Sequence, residues 1–493
     1  MASCLARPCA GPLPQAAAPA LKPPTPGALR LALPRACSSR RALLQRCAAA
    51  ASQLEGVTTW LAAAGVDVGK QAAAPGADGS LVTTRPVAKG EQLFAIPESA
   101  WITPAIAAQS EIGQYLVGLE PWLVLSLFLL HERAKVPASR YGPYLAALPA
   151  DSGSPVQWSD GELADLAGSQ VLGTVQGYRA YFQQRFEQLQ AEVFAPNPAA
   201  FDPSVFTYDA FVWAASTVRG RVHPPLDGAN IALVPLADMT QHQRSAGNAG
   251  WRLKSVGLFG GGSGRTLVLE AGEALAAGAP VAMDFGPSKT DGQLLVDHGV
   301  LDPLISQASY ALTLELNEAA SNFGDKIDIL ELNELQQSME FVLRVDSPPG
   351  EAMLAMLRLL QLQGADSFLL ESIFRNETWE HMQLPVSEEN ERACYQVIID
   401  GCTAALAGYP TSIDEDLALL ASGSLPPGSR QQRAVRVRLG EKEALDVTLR
   451  YFEERIDRLA GMEYYGERRL KRLGLLDDGG NSTWDGFFED GIA

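Results

Sequence analysis

A block of helical periodicity set between two clusters of short alternating segments constrains this chain more than any other feature. The first cluster is Ser80–Arg85 and Gln92–Ile96, joined across Pro86–Glu91, where Lys89-Gly90 supplies turn chemistry, so a hairpin is predicted. Apolar residues at three- and four-residue spacing then run through Trp122–Ala134, Gly161–Leu166 and Val171–Val193. Alternation returns at Ile231–Pro235, Trp251–Lys254, Thr266–Glu270, Pro280–Asp284 and Tyr310–Leu316. Strands interrupted once by a long helical block exclude the regular βαβ repeat. They predict an α+β fold: a small β unit over residues 55–320 with a helical insert at about 105–225. Beyond residue 320 the periodicity is helical, at Glu351–Leu362, Ser367–Phe374, Glu388–Leu406, Asp414–Leu420 and Arg430–Leu459. Gly408-Tyr409-Pro410 stops one helix, and Thr411 or Ser412 caps the next with Glu415 near the capping-box position. An all-helical second domain is therefore expected over residues 321–476, with 477–493 a disordered tail.

Charge divides the chain unevenly. Residues 1–54 hold seven basic and no acidic residues; of 39 Lys+Arg this leaves 32 against 57 Asp+Glu, so the remainder carries −25. An acidic body repels phosphate backbones, which disfavours nucleic acid and favours a protein or small-molecule ligand. The head is rich in Ala, Pro, Arg and Ser and lacks the apolar core of a secretory signal. It reads as an organelle transit peptide, residues 1–50, chloroplast or mitochondrial. The longest apolar run, Trp122–Leu130, is broken only by Ser126 and is well short of the ~20 residues a bilayer span needs. Cys394 and Cys402, the two cysteines outside the head, have no CxxC partner, so neither a disulfide framework nor a metal site is indicated. Gly260–Gly264 lacks the lysine and the strand-to-helix context of a phosphate loop and reads as a hairpin loop. Arg468–Arg472 reads as the cationic end of a C-terminal helix.

Two stretches place polar residues where the strand pattern predicts core. One is Leu233-Val-Pro-Leu-Ala-Asp238-Met-Thr-Gln241-His242, an apolar segment that runs directly into Asp, Gln and His. The other runs from Met283-Asp284-Phe285-Gly286 through a turn to Val296-Asp297-His298-Gly299, a strand, a turn and a short helix. Backbone groups freed at strand ends need partners or a ligand, so both stretches are candidate site segments. Satisfied caps and turns are the alternative for either stretch alone.

In this order the segments resemble the SET-domain lysine methyltransferases of the plastid Rubisco large-subunit methyltransferase type. The resemblance extends through Ser110-Glu-Ile-Gly113, Glu120-Pro-Trp122, Trp158-Ser159 with Glu162-Leu163, and Gly168-Ser-Gln170. It continues through Phe323-Gly-Asp-Lys-Ile-Asp328, Phe368–Phe374, Trp379-Glu-His381, Leu384-Pro-Val-Ser387 and Glu463–Lys471, so it covers roughly residues 56–476. It implies a split SET domain of knotted β topology with a helical insert, followed by a helical domain that binds substrate protein. It also implies S-adenosylmethionine as cofactor, no metal, and methyl transfer to a lysine whose amine is neutral when it attacks. Rate would come from alignment and from dipoles around the methyl group.

By the same resemblance, Ala77, Asp78, Gly79 and Ser80 occupy the slot of the family's glycine-rich cofactor loop, with one glycine left in it. Arg221 matches the arginine that pairs the cofactor carboxylate, and Asp238 and His242 match the family's Asp and the His of its Asn-His pair. Gln241 replaces the Asn that holds the cofactor, moving the amide by one methylene. Phe285 stands where a strand-end Tyr is usual, and His298 takes the place of the catalytic Tyr of Asp-Tyr-Gly. An imidazole with ordinary pKa near ~6.5 can accept a proton or donate one hydrogen bond, but its reach differs from a phenol's. Two functions follow. The first is a lysine methyltransferase of the chloroplast stroma, monomeric, acting on a protein such as the Rubisco large subunit or fructose-bisphosphate aldolase, and binding neither nucleic acid nor membrane. The second is a catalytically impaired SET protein that serves as a non-enzymatic binding module.

Overall fold

The computed structural model describes residues 55–75, 81–222, 231–244, 250–255, 265–302, 308–477 and 479–480. The transit-peptide head, the Ala77–Ser80 loop, the glycine run at 260–264 and nearly all of the tail lie outside the described residues. Four small sheets make up the β structure of the described residues. Strands β1 (Ala73–Pro75) and β2 (Leu81–Thr83) pair antiparallel. Strand β3 (Gln92–Pro97) pairs not with β2, as the expected hairpin required, but with a strand far along the chain. In chain order come β4 (Gln241–His242), β5 (Gly250–Ser255), β6 (Arg265–Glu270) and β7 (Ala282–Met283), and the three-stranded sheet runs β3-β6-β5. Burial explains the correction. Leu93, Phe94 and Ile96 are all buried, with a register shift between Gln92 and Phe94. Such a strand needs an apolar partner, which β6 supplies through Leu267, Val268 and Leu269. Strands β4 and β7 form a parallel pair, Gln241 opposite Ala282 and His242 opposite Met283. The two segments singled out by their polar residues thus lie side by side.

The expected helical insert is present. Helices α1 (Pro121–Ala134), α2 (Gln170–Leu189) and α3 (Tyr208–Arg221) enclose a core of their own, with α1 packed on α3. Helix α1 is apolar on nearly every face because it runs through the middle of that core. The expected strand at Ile231–Pro235 is reduced to a single bridge, Leu233 opposite Ile102, which ties the insert's exit to its entrance. Helix α4 (Asp291–His298) follows β7. It begins with a reciprocal capping box, Thr290 and Gln293, and ends at Gly299 in the left-handed region, φ +68°.

The C-terminal unit is not all-helical as expected: an antiparallel ribbon pairs β8 (Ser309–Glu315) with β9 (Ser338–Arg344), because Leu343 needs an apolar neighbour that β8 supplies. Leu314, Leu316 and Leu343 of the ribbon join the core beneath α5 (Glu388–Ala407) and α7 (Arg430–Ile456). Between those helices lies α6 (Ile413–Ala421), capped by Ser412 with Glu415 completing the box. The segment 367–374, expected to be helical, holds part of a 3₁₀ turn over Gly364–Leu370 instead.

One helix joins the two units. Ala434 and Val437 of α7 share a small apolar core with Leu295 and Val296 of α4 and with Trp158, Val171 and Val175 of the insert. Around that core, Arg433 donates to Gly299 O at 2.8 Å, Arg438 Nη1 to Asp165 O at 2.8 Å, and Arg436 to Asp302 O. Arg430 bridges Asp151 and Glu162 at 2.6 Å each. Deeper in the seam, Glu441 is buried, accepts from Tyr409 Oη at 2.8 Å, and lies within reach of Gly292 on α4.

Burial pushes the Glu441 carboxyl up to about 7, against hydrogen bonds from Tyr409, Ser169 and the Gln170 amide. Its folded pKa thus exceeds the ordinary value of 4.5, so its contribution to stability is complete below about 4.5 and is lost as pH rises through 7. Glu441→Gln, which keeps the group neutral, is expected to stabilise the protein by about 3 kcal/mol at pH 8 and by little at pH 4. Denaturant unfolding at the two pH values checks this, and an equal effect at both would reject the assignment.

Candidate active site

The site is assembled where α3 ends, where β4 and β7 pair, and where α4 runs back toward α3. Arg221 is the last residue of α3. Its Nη1 donates to Asp238 O at 3.1 Å and to Asp238 Oδ2 at 3.3 Å. Asp238 is buried and also accepts from Tyr144 Oη at 2.7 Å. Its inward position depends on Leu236, a buried non-glycine residue at φ +75° that turns the chain just ahead of Ala237–Met239. That conformation costs about 1–3 kcal/mol. Burial raises the Asp238 carboxyl above its ordinary pKa, while Arg221 and Tyr144 act against the rise.

Arg221 Nε and Nη2 have no partner among the described residues, and Asp238 Oδ1 is buried without one. A guanidinium with two free donors beside a carboxylate with a free oxygen suits a zwitterion, the carboxylate on one and the ammonium on the other. The amino-acid end of S-adenosylmethionine is such a group, so these residues fit it. Gln241 is exposed at the start of β4, and its side chain makes no hydrogen bond within the described residues. A ladder connects it to β2: Gln241 N donates to Val281 O at 3.2 Å, and Val281 N to Leu81 O at 2.8 Å. Leu81, the first residue of β2, is therefore two strands from Gln241.

Beyond Gln241 the rings of His242, Phe285 and His298 form a row, with centroids 5.2 Å and 5.0 Å apart. His242 Nδ1 accepts from the Phe285 amide at 3.2 Å, which fixes the two strand ends against each other. Burial lowers the His242 pKa, opposed by Asp284 and Asp302, so the ring is neutral near pH 7. His298 Nδ1 lies 3.1 Å from Gly220 O, and Nε2 lies 2.9 Å from Lys289 Nζ. Burial and the Lys289 charge lower its pKa to about 4. Asp297, its neighbour on α4, accepts from Lys289 at 2.7 Å and from Arg219 Nε and Nη2 at 2.9 and 2.6 Å. Burial acts to raise the Asp297 carboxyl, but Arg219 and Lys289 together hold it below the usual range.

Arg221, Asp238, Gln241, His242, Phe285 and His298, all singled out in the sequence, are thus brought into one region. Tyr144, Arg219, Gly220, Lys289 and Asp297 complete it without having been chosen. Lys289 and Asp297 lay inside a quoted segment, whereas nothing in the pattern around Tyr144 marks it as a partner of a residue 94 positions away.

The comparisons with known proteins extend over this whole assembly. The chain is 38% identical over 426 residues, 86% of each protein, to the chloroplastic Rubisco large-subunit N-methyltransferase of Nicotiana tabacum. It belongs to the Rubisco large-subunit methyltransferase family. It is also 37% identical over 429 residues, 86% of this chain and 87% of the other, to the chloroplastic fructose-bisphosphate aldolase-lysine N-methyltransferase of Arabidopsis thaliana. The family model described as Rubisco LSMT substrate-binding matches residues 317–445. Among solved structures, the SET domain of LSMT bound to lysine and AdoHcy superposes with a TM-score of 0.73 at 33% identity, covering 87% of this chain and 97% of that one. Rubisco LSMT bound to AdoMet gives 0.72 at 34% identity, covering 87% and 98%.

Within this SET fold, α4 ends in Asp297-His298-Gly299, and Gly299 carries a specific burden. A Cβ there would lie 2.1 Å from Ser152 O and 2.8 Å from Gly153, in a backbone conformation that L side chains rarely adopt. Gly299→Ala is therefore expected to destabilise the protein by about 3 kcal/mol or more and to shift His298. Thermal unfolding checks this; a melting temperature equal to that of the parent would show that the contact is not tight.

Proposed function

We propose that the chain is an S-adenosylmethionine-dependent protein-lysine N-methyltransferase of the chloroplast stroma, acting on a protein such as the Rubisco large subunit or fructose-bisphosphate aldolase. The observation that carries this reading is the continuity of the site: free Arg221 donors and the Asp238 oxygen at one end, an unengaged Gln241 amide between, and a row of three rings at the other. When bound, the cofactor supplies an electrophilic methyl group. Arg221 holds its carboxylate, Asp238 keeps the guanidinium in place, and Gln241 offers both a donor and an acceptor. The rings of His242, Phe285 and His298 exclude water from the methyl-acceptor path, which favours the neutral form of an incoming amine. Neutral His298 adds no positive charge where a cationic cofactor and a lysine meet.

The helical C-terminal unit docks the protein substrate, and the −25 body attracts a basic, lysine-bearing segment while disfavouring nucleic acid. No described helix is long and apolar enough to cross a membrane. Among the described residues no cluster could hold a metal ion, and the reading assigns none. The reading takes the chain to act as a monomer. A second reading, a binding module without turnover, is favoured by one observation: Phe285 lacks a hydroxyl and both ring nitrogens of His298 already have partners.

Incubation with labelled cofactor and each stromal protein, followed by mass spectrometry, separates the two readings. Lysine methylation is expected, and no transfer to any stromal protein would leave the binding module. For the cofactor end, Arg221→Lys preserves the charge beside Asp238 but loses the planar fork. Calorimetric titration of that variant is expected to show S-adenosylmethionine binding at least about tenfold weaker. Unchanged affinity would remove Arg221 from the site.

A further inference from the structure

The protonation of His298 is legible from its partners alone. A carbonyl oxygen can only accept, so Nδ1, facing Gly220 O at 3.1 Å, carries the hydrogen. An ammonium can only donate, so Nε2, 2.9 Å from Lys289 Nζ, is the acceptor. The ring is therefore the neutral Nδ1–H tautomer, held at both ends. Lys289 is in turn fixed from several sides. Its ammonium donates to Asp297 Oδ2 at 2.7 Å, and Asp297 Oδ1 is occupied by Arg219, whose guanidinium lies over the Tyr178 ring at 4.3 Å. Its backbone oxygen accepts from Nη1 of the buried Arg244 at 2.7 Å, and Arg244 Nη2 reaches Asp291 at 2.8 Å. Its aliphatic stem passes over Gly286, where a Cβ would come within 2.8 Å of Lys289 Cγ and 2.9 Å of Cδ. Thr290, the next residue, caps α4. No surface lysine needs so many constraints.

We propose that Lys289 is the positioning residue for His298, holding the imidazole in a single neutral tautomer and orientation through the Lys289–Asp297–Arg219 chain. This rests on the methyltransferase reading for its role in the reaction, though not for its effect on the ring. In that reaction Lys289 fixes which ring nitrogen carries the hydrogen and how the ring stands beside the methyl-acceptor path. The charged and titratable groups facing His298 are Lys289 from the turn before α4, Asp297 from α4 itself and His242 from β4, with Arg219 of α3 behind Asp297. Of these, Lys289 and His242 oppose protonation and Asp297 favours it.

The test is nitrogen-15 NMR of the histidine side chains in the full chain without cofactor, with His298 assigned by substitution among the five histidines. In the parent protein His298 is expected to show the neutral Nδ1–H pattern from pH 8 to about pH 5. In Lys289→Met protonation is expected about one pH unit higher or more, since the nearest cation is gone while Asp297 remains. Lys289→Arg is expected to restore the parent pattern. Lys289→Gln, which retains a donor without the charge and tests the point should the Met variant fail to fold, is expected to keep the tautomer and still protonate at higher pH. An unchanged titration in the Met and Gln variants, or an Arg variant indistinguishable from Met, would overturn the proposal. Methyl transfer is measured alongside, and kcat is expected to fall at least tenfold in Lys289→Met with the cofactor KM little changed. Absence of transfer in the parent protein counts against the methyltransferase reading, while the NMR result still decides the role of Lys289.

Discussion

Helix α4 is eight residues long, too short to persist on its own, yet it carries Asp297 and His298. Its seating against α7 is the contact on which the site depends. Leu295 and Val296 are buried against Ala434 and Val437, and Arg433 holds the carbonyl of Gly299 at the end of the helix. Burial of two such side chains contributes roughly 3–6 kcal/mol, enough to offset the entropy of ordering a short helix. The C-terminal unit is thus part of the active-site scaffold and not an appendage to it. This also explains why the seam is laced with arginines: carbonyls left free at the ends of α4 and the 3₁₀ turn at Ala164–Leu166 need donors, and long guanidinium side chains reach them from one helix.

Two ion clusters flank the row of rings, and their construction differs. Arg221 and Asp238 form a compact pair with capacity to spare, one side chain fully buried and the other partly open. Lys289, Asp297 and Arg219 form a closed chain in which both Asp297 oxygens are used. An open pair suits a ligand, whereas a closed chain suits the fixing of a neighbour. His298 lies at the closed end, where its surroundings hold the ring at both nitrogens.

How much could be read in advance followed from how local each signal is. Helices α1 and α2 of the insert, α5, α6 and α7 of the C-terminal unit and the Ser412–Glu415 cap were legible because periodicity and capping act within a few residues, whereas helix α3 and strand β9 were not marked. The expected β2–β3 hairpin was mistaken because alternation reveals which face is apolar but not which partner covers it, and β3 buries Leu93 and Phe94 in succession against a distant β6. Arg221, Asp238, Gln241, His242, Phe285 and His298 came from family resemblance. Chemistry alone would have marked only the strand-end clusters. Tyr144 and the closure of Lys289 onto His298 are tertiary facts without a sequence period.

The parallel pair β4–β7 is only two residues long, and its shortness has a consequence for how the chain can vary. Side chains alternate between faces, so a slip of one position would exchange Gln241 with His242, the exposed amide with the buried ring. Register in so short a ladder has no partial states: it is right, or it is inverted. A single-residue insertion or deletion between Leu236 and His242, or between Pro280 and Phe285, would therefore turn the amide inward and the ring outward unless the flanking turns absorbed it.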